Sequence, residues 1–455
     1  MNESQDQDAN AQVIAPQTSP APVTAHDRSL SLDVLRGFAL LGILTMNVVS
    51  FAMHEAAYMN PLYKGPFADS WQGSLDRVAY IVQAVFCDQR FMTIFAMLFG
   101  VGIATMSTRA EQAGSRNGKA HSSTTQHYRR AALLIGLGLL HAYALWYGDI
   151  LLLYGLCALW VYPMRRLPTV TLIVIATLVL IVPIFIMGAL GGLIWWWFEA
   201  EVSEVAQLVA QGQELSAAQA ATWSQWLQAQ DQWQPTPEAL ARDTALATGS
   251  ISDWWVRNAK LSLFMQFLMF PMWGLWRATA LMMLGIVLFR AGVWSGAMSN
   301  TALRRMMWIG LGVGLPLAVF AVWDALSHGM LVHRAYAITM NVQYVASVAM
   351  AFGYIGCVVL LTRKFATSTS GVMHTLLQSF AVIGRTSLSN YLLQTLIMTL
   401  LFSGLGFKLF ERFPRWQLLV CVPIVWTVQV LLSRWWLSRY RSGPMETLTR
   451  KIIYA

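Results

Sequence analysis

Ten apolar runs, between 15 and 30 residues long, divide this chain, and no folding of them leaves a water-soluble surface. They cover roughly 32–53, 91–107, 130–147, 149–163, 169–193, 261–290, 304–324, 336–362, 373–402 and 416–438. A run of about 20 residues matches a hydrocarbon core of about 30 Å. In lipid every backbone N–H and C=O must be bonded within the protein, so such runs fold as helices. The fourth run is short, and the sixth is long and carries Pro271. The expected fold is therefore all-α: a polytopic membrane protein with about ten transmembrane helices.

Composition agrees. Of 455 residues, 56% are hydrophobic and only 12% charged, with a mean hydropathy of +0.50. Soluble proteins carry about 25% charged residues. This excludes a soluble enzyme, a disordered chain and a collagen-like chain. The net charge of +9 would suggest nucleic acid in a soluble protein. Here the excess of Lys and Arg in cytoplasmic loops explains it, so the expected partner is the bilayer and not nucleic acid. Cys87, Cys157, Cys357 and Cys421 lie in or beside apolar runs and form no CxxC or Cys/His cluster. They read as buried small hydrophobes, with no metal indicated.

Residues 1–28 lack periodicity and read as a disordered cytoplasmic tail, not a signal peptide. Residues 29–193 hold the first five helices, 194–260 an external segment, 261–438 helices six to ten, and 439–455 a cytoplasmic tail. Residues 71–88 include Asp76, Arg77 and Asp88 and read as an external amphipathic helix on the surface. With ten spans and the N-terminus inside, cytoplasmic segments hold 18 Lys and Arg against 10 outside. An eleventh span at 71–88 would reverse that bias, so both termini are expected in the cytoplasm. The segment 194–260 holds eight acidic residues against Arg242, Arg257 and Lys260. It reads either as a helical cap over the bundle or as a solvated hairpin.

An ionisable group inside a span costs at least a few kcal/mol, so each is a functional candidate. Asp33 and Arg36 share one face of helix one by their i, i+3 spacing. They form either a local ion pair or a phosphate-binding Arg oriented by a carboxylate. Asn47 lies further along the same helix. His141 is the best base, because neutral imidazole is cheap to bury and titrates near neutrality. Asp149 either caps the next helix or orients His141 across the tight turn. Arg277 sits mid-helix. The stretch from Gly384 to Tyr391, with Arg385 and Asn390, is polar enough to interrupt its span and line a cavity. His54, His328 and His333 read as surface histidines in outer loops.

Leu32 through Gly37 with Asn47, Phe91 through Phe95 with Leu98 through Gly102, His141 through Leu151, Gly384 through Gln394, and Gly443 through Glu446 together resemble the YeiB-like family of bacterial inner-membrane proteins. These motifs run in order across nearly all of residues 29–455. That family resembles the transmembrane acyltransferase superfamily, which includes the lysosomal heparan glucosaminide N-acetyltransferase. The resemblance implies acyl-CoA or acetyl-CoA entering from the cytoplasm as co-substrate. It also implies an acceptor across the membrane, an amino or hydroxyl group of a small molecule or glycan. In the lysosomal enzyme an Asn late in helix one and a His soon after it carry the chemistry. Asn47 matches that Asn, while His54 stands at a different spacing from it, and the base taken here is His141.

The expected mechanism follows. CoA phosphates sit at a basic cytoplasmic mouth near Arg36, Asp33, Arg129 and Arg130. His141, oriented by Asp149, deprotonates the acceptor. Asn47 donates to the oxyanion. Arg385 and Asn390 shape the channel wall. The competing reading is a transporter or flippase that holds an anionic or lipid-linked substrate with buried Arg residues. The many Trp residues leave a homodimer open.

Overall fold

The computed structural model describes residues 25–117, 123–231, 233–365 and 370–454, and most of the N-terminal tail lies outside them. Among these residues there is no β-strand. The first half comprises α1 (Ala25–Ala52), α2 (Glu55–Met59), α3 (Trp71–Phe86), α4 (Arg90–Asn117), α5 (Ser123–Ala144), α6 (Leu151–Met164) and α7 (Thr169–Trp197). Then come α8 (Ser203–Ala210), α9 (Ala217–Asp231), α10 (Pro237–Thr248), α11 (Ile251–Phe264) and α12 (Leu275–Arg290). The rest are α13 (Asn300–Ser327), α14 (Val332–Arg334), α15 (Met340–Phe365), α16 (Val372–Arg385), α17 (Ser387–Phe402), α18 (Arg415–Leu437) and α19 (Pro444–Tyr454).

Seven helical stretches are long and apolar enough to cross a membrane: 30–52, 71–108, 169–210, 251–290, 300–327, 332–365 and 415–437. α6 and α17 are shorter apolar helices. Apolar side chains face outward on the peripheral helices, including Val170, Leu178 and Phe185 on α7 and Val420, Ile424 and Leu431 on α18. Water would oppose so much exposed apolar surface, whereas lipid accepts it, so these faces suggest a membrane protein.

α1 runs through the middle, against α4, α15, α16, α17 and α18. Two crossings are backbone to backbone. A Cβ on Gly37 would stand 1.8 Å from the Phe380 carbonyl oxygen, and one on Gly384 would stand 1.8 Å from that of Asp33. Gly100 and Gly285 join α4 to α12 in the same way. Small residues let helices approach closely where lipid supplies no hydrophobic drive for association.

The polar stretch at Gly384–Tyr391 breaks its span as expected: α16 ends at Arg385 and α17 starts at Ser387. Glu446 caps the new N-terminus. Its Oε1 accepts from the Leu388 and Ser389 N–H groups at 2.7 and 3.2 Å, and its Oε2 from the Ser389 hydroxyl at 2.5 Å. A carboxylate satisfies these free donors and complements the helix dipole. The expected boundary at residue 260 falls inside α11, which continues through a π-helical stretch around Pro271 into α12. Proline lacks the N–H that an α-helix needs, and a wider turn absorbs the loss. α3 buries Tyr80, Gln83, Ala84 and Val85, and turns the apolar side chains of Trp71, Leu75, Val78, Val82 and Phe86 outward. Of the four cysteines, all free, only Cys157 is fully buried.

Candidate functional site

His141 ends α5. Its carbonyl accepts from both Leu145 and Trp146 N–H at 2.9 Å, which closes the helix and starts the turn towards α6. Asn258 of α11 clamps that turn by donating to the Ala142 carbonyl at 2.8 Å and accepting from Tyr147 N–H at 2.8 Å. The turn returns the chain so that Asp149 faces His141, with Oδ2 at 2.9 Å from Nδ1. Both side chains are almost wholly buried. The approach is close, but Nδ1 makes no aligned hydrogen bond, so a small ring rotation would be needed to complete one. Of the two readings of Asp149, the cap is formed as a hydrogen bond, and the other oxygen approaches the imidazole. Its Oδ1 accepts from the Leu152 N–H at 2.7 Å, capping α6, while Oδ2 faces the imidazole.

On the other side of the ring, Nε2 lies 3.0 Å from the Thr395 hydroxyl. The Tyr391 ring packs against the imidazole at 4.9 Å between centroids, and its hydroxyl donates to Asp149 Oδ2 at 3.4 Å. Tyr391 and Thr395 share one face of α17 by their i, i+4 spacing. Carboxylate, imidazole and hydroxyl therefore stand in line, the order in which a general base is oriented and then used. The sequence reading did not single out Thr395. Its only signal was a hydroxyl one turn beyond Tyr391, between Gln394 and an apolar stretch.

Asn47 makes no side-chain hydrogen bond among the described residues and does not bond to His141 or Asp149. One turn further along α1, Ser50 and Phe51 line a cavity of about 20 Å³ with Leu145, Trp146, Asn258 and Thr399, room for about one water. A larger cavity of about 340 Å³ opens at the same end of the bundle, lined by Asn60, Lys64, Asp69, Asp76, Arg77 and Arg415 among others. His141 lines neither.

At the opposite end, Arg36 and Asp33 form an ion pair at 3.2 Å, partly exposed. Arg385 is exposed and within electrostatic reach of Asp33, because α16 crosses α1 there. Arg129 is exposed, and the Arg130 guanidinium covers the Phe99 ring at 4.7 Å. Asp33, Arg36 and Arg385 thus come together, while Asn390 does not join them. Its amide donates to the Thr386 carbonyl, Thr386 hydroxyl and Ser433 hydroxyl. Gln429 donates to its carbonyl oxygens. That buried network ties α17 to α18.

Near α2, Arg257 binds Asp243 through two bonds of 2.6 and 2.8 Å and lies 3.7 Å from Glu55. Glu411 accepts from the Tyr63 hydroxyl at 2.6 Å and the His54 N–H at 2.7 Å. Burial pushes its carboxyl above the ordinary range, against those bonds. His54 caps α2, accepting from the Ala56 N–H at 3.2 Å.

Residues 288–455 match a family described as a protein of unknown function, DUF418. The Escherichia coli (strain K12) protein YeiB is 29% identical over 441 residues, covering 94% of this chain and 96% of its own length. These matches support a YeiB-like family. The Bacillus subtilis (strain 168) protein YxaH is 25% identical over 441 residues, covering 96% of this chain and 97% of its own. No solved structure matches. The matched family covers α17, with Tyr391 and Thr395, while His141 and Asp149 lie within the reach of the two full-length relatives.

Proposed function

We propose that the chain is a ten-span protein of the bacterial inner membrane, with both termini cytoplasmic, that transfers an acyl group from cytoplasmic acyl-CoA to an amino or hydroxyl acceptor on the far side. The observation that carries this reading is the buried imidazole of His141 held between Asp149 at 2.9 Å and a hydroxyl at 3.0 Å. An acceptor would take the place of the Thr395 contact at Nε2. His141 would remove its proton as the acceptor attacks the thioester carbonyl. Asn47, its amide uncommitted, would donate to the oxyanion. Collapse expels the CoA thiolate, which takes up a proton.

The donor would bind at the mouth formed by Asp33, Arg36 and Arg385, with Arg129 and Arg130 on α5. From Arg130 to His141 is 11 residues of helix, roughly 16 Å, the span an extended pantetheine arm must cover. A transporter or flippase for an anionic substrate competes, and the buried guanidinium of Arg277 favours it.

The test is transfer of label from radioactive acetyl-CoA to glucosamine by purified protein in liposomes. Transfer that disappears in His141→Ala, with acetyl-CoA but not adenosine raising the melting temperature, supports acyl transfer. Undiminished transfer in His141→Ala would remove His141 from the chemistry. Substrate accumulation inside vesicles without label transfer would favour transport.

A further inference from the structure

Two guanidinium groups lie buried between α4, α12 and α15, outside the histidine site. Arg90 has no exposed surface and Arg277 is 4% exposed. The Arg277 Nη2 donates to the Thr93 and Ser347 hydroxyls at 2.5 and 2.8 Å, and its plane covers the Tyr344 ring at 4.5 Å and the Trp273 ring at 5.1 Å. Arg90 donates to the Asp88 carbonyl, and its Nε meets only the Met350 sulfur at 3.4 Å. Thr93 is one turn from Arg90 on α4, and Ser347 one turn from Met350 on α15. The two guanidiniums therefore occupy neighbouring places on one interface.

Their charge is incompletely met. The carboxylate of Asp88 is within electrostatic reach of both. Its oxygens, however, accept from neutral donors, the Tyr58 hydroxyl at 3.3 Å and the Gln343 amide at 3.0 Å. One carboxylate thus faces two cations. Arg90 Nη2 and Arg277 Nη1 are buried without an aligned hydrogen bond, although the Tyr344 hydroxyl lies beside the Arg277 guanidinium. Burying an unpaired guanidinium nitrogen is costly, and an anion would offset the cost. The backbone is also held unusually where it aims Arg90 inward: Gln89, between Asp88 and Arg90, has φ 60°. Non-glycine residues rarely adopt that conformation outside sites the surroundings impose.

We infer that Arg90 and Arg277 form a buried binding site for an oxyanion, a carboxylate or a phosphate group, bridging Arg90 Nη2 and Arg277 Nη1. α6 links it to the histidine site. Asp149 caps α6, and Tyr154, five residues further, donates to the Met92 carbonyl at 3.3 Å beside Thr93. Five residues of helix rise roughly 8 Å. A substrate whose acid group sits on the two arginines would thus place its reactive end near His141. The anion site stands whether or not acyl transfer occurs.

The experiment is thermal unfolding of the full chain in detergent micelles at constant ionic strength, with potassium acetate or potassium phosphate replacing potassium chloride. A saturable rise in melting temperature with acetate assigns a carboxylate site, and one with phosphate a phosphate site. Arg90→Gln and Arg277→Gln abolish the rise, while Arg304→Gln, an exposed arginine on α13 outside both proposed sites, keeps it. Where a Gln variant does not fold, the Lys variant reads the same property. Lysine keeps the charge but loses the two-pronged donor, and the half-saturating concentration rises about tenfold. Absence of any saturable rise over chloride, or a rise unchanged in the arginine variants, overturns the site.

Discussion

Truncating Asp149 to Ala removes three contacts at once, and their separate worth can be worked out. The carboxylate caps α6 through Leu152, touches His141, and accepts from Tyr391. Loss of a capping acceptor costs about 1 kcal/mol. Leaving a buried imidazole without its partner costs about 1–3 kcal/mol. Tyr391 adds less, since its hydroxyl still accepts from the Ile150 N–H at 3.3 Å. Asp149→Ala should therefore destabilise the protein by about 3 kcal/mol. Asp149→Asn keeps an oxygen for Leu152 and offers its amide to His141, so it should cost about 1 kcal/mol or less. That amide would be a donor towards Nδ1, which forces the proton onto Nε2 and leaves no lone pair there to act as base. Asn should thus give a folded and inactive protein, and Ala an unstable one. Unfolding in mixed micelles, followed by tryptophan fluorescence, separates the two. If Asn destabilises as much as Ala, or Ala stays within about 0.5 kcal/mol of wild type, then Asp149 does not join a cap to a base as described.

Glu446→Ala uncaps α17 and should cost about 1–2 kcal/mol, with faster hydrogen exchange at Leu388 and Ser389, while Glu446→Gln retains most of the protection. Gly37→Ala drives a methyl into the Phe380 carbonyl and should cost about 3 kcal/mol, read as a lower unfolding midpoint. Because burial raises the Glu411 carboxyl, the folded protein favours its protonated form, and this contribution is complete below the ordinary carboxylate range and lost as pH rises through the raised value. Glu411→Gln should therefore flatten that decline, with a melting temperature above wild type in alkaline buffer and close to it in acid.

Apolar runs were legible because lipid leaves the backbone no alternative to helix. The run at 169–193 is α7, extended to Trp197, and the polar stretch before Tyr391 breaks its helix as read. Helix ends were less legible. The turn after His141 depends on Asn258, more than a hundred residues away, and periodicity carries no information about such a partner. The same holds for α3: its sequence shows an amphipathic helix, but not that Gln83 would accept from Arg415 at 2.7 Å. The convergence of His141 and Asp149 was legible because one short turn joins them. Thr395 was not, since 254 residues separate it from the imidazole it touches.

The residues that make the sequence motifs conspicuous divide by what packing explains. Gly37 and Gly384 are small because two backbones meet there. Glu446 is acidic because a helix begins beneath it, and Asn390 is polar because α17 and α18 share its amide. Each returns its cost locally, in a bond or a close approach. His141, Arg90 and Arg277 do so only in part, since each keeps one buried nitrogen without an aligned hydrogen bond. A leucine or methionine of similar volume would fill each place without desolvating a polar group, and buried charges commonly lose to such replacements in stability. Their place in the bundle core therefore favours a role in binding or chemistry, and the two places where packing repays burial only in part are linked through α6.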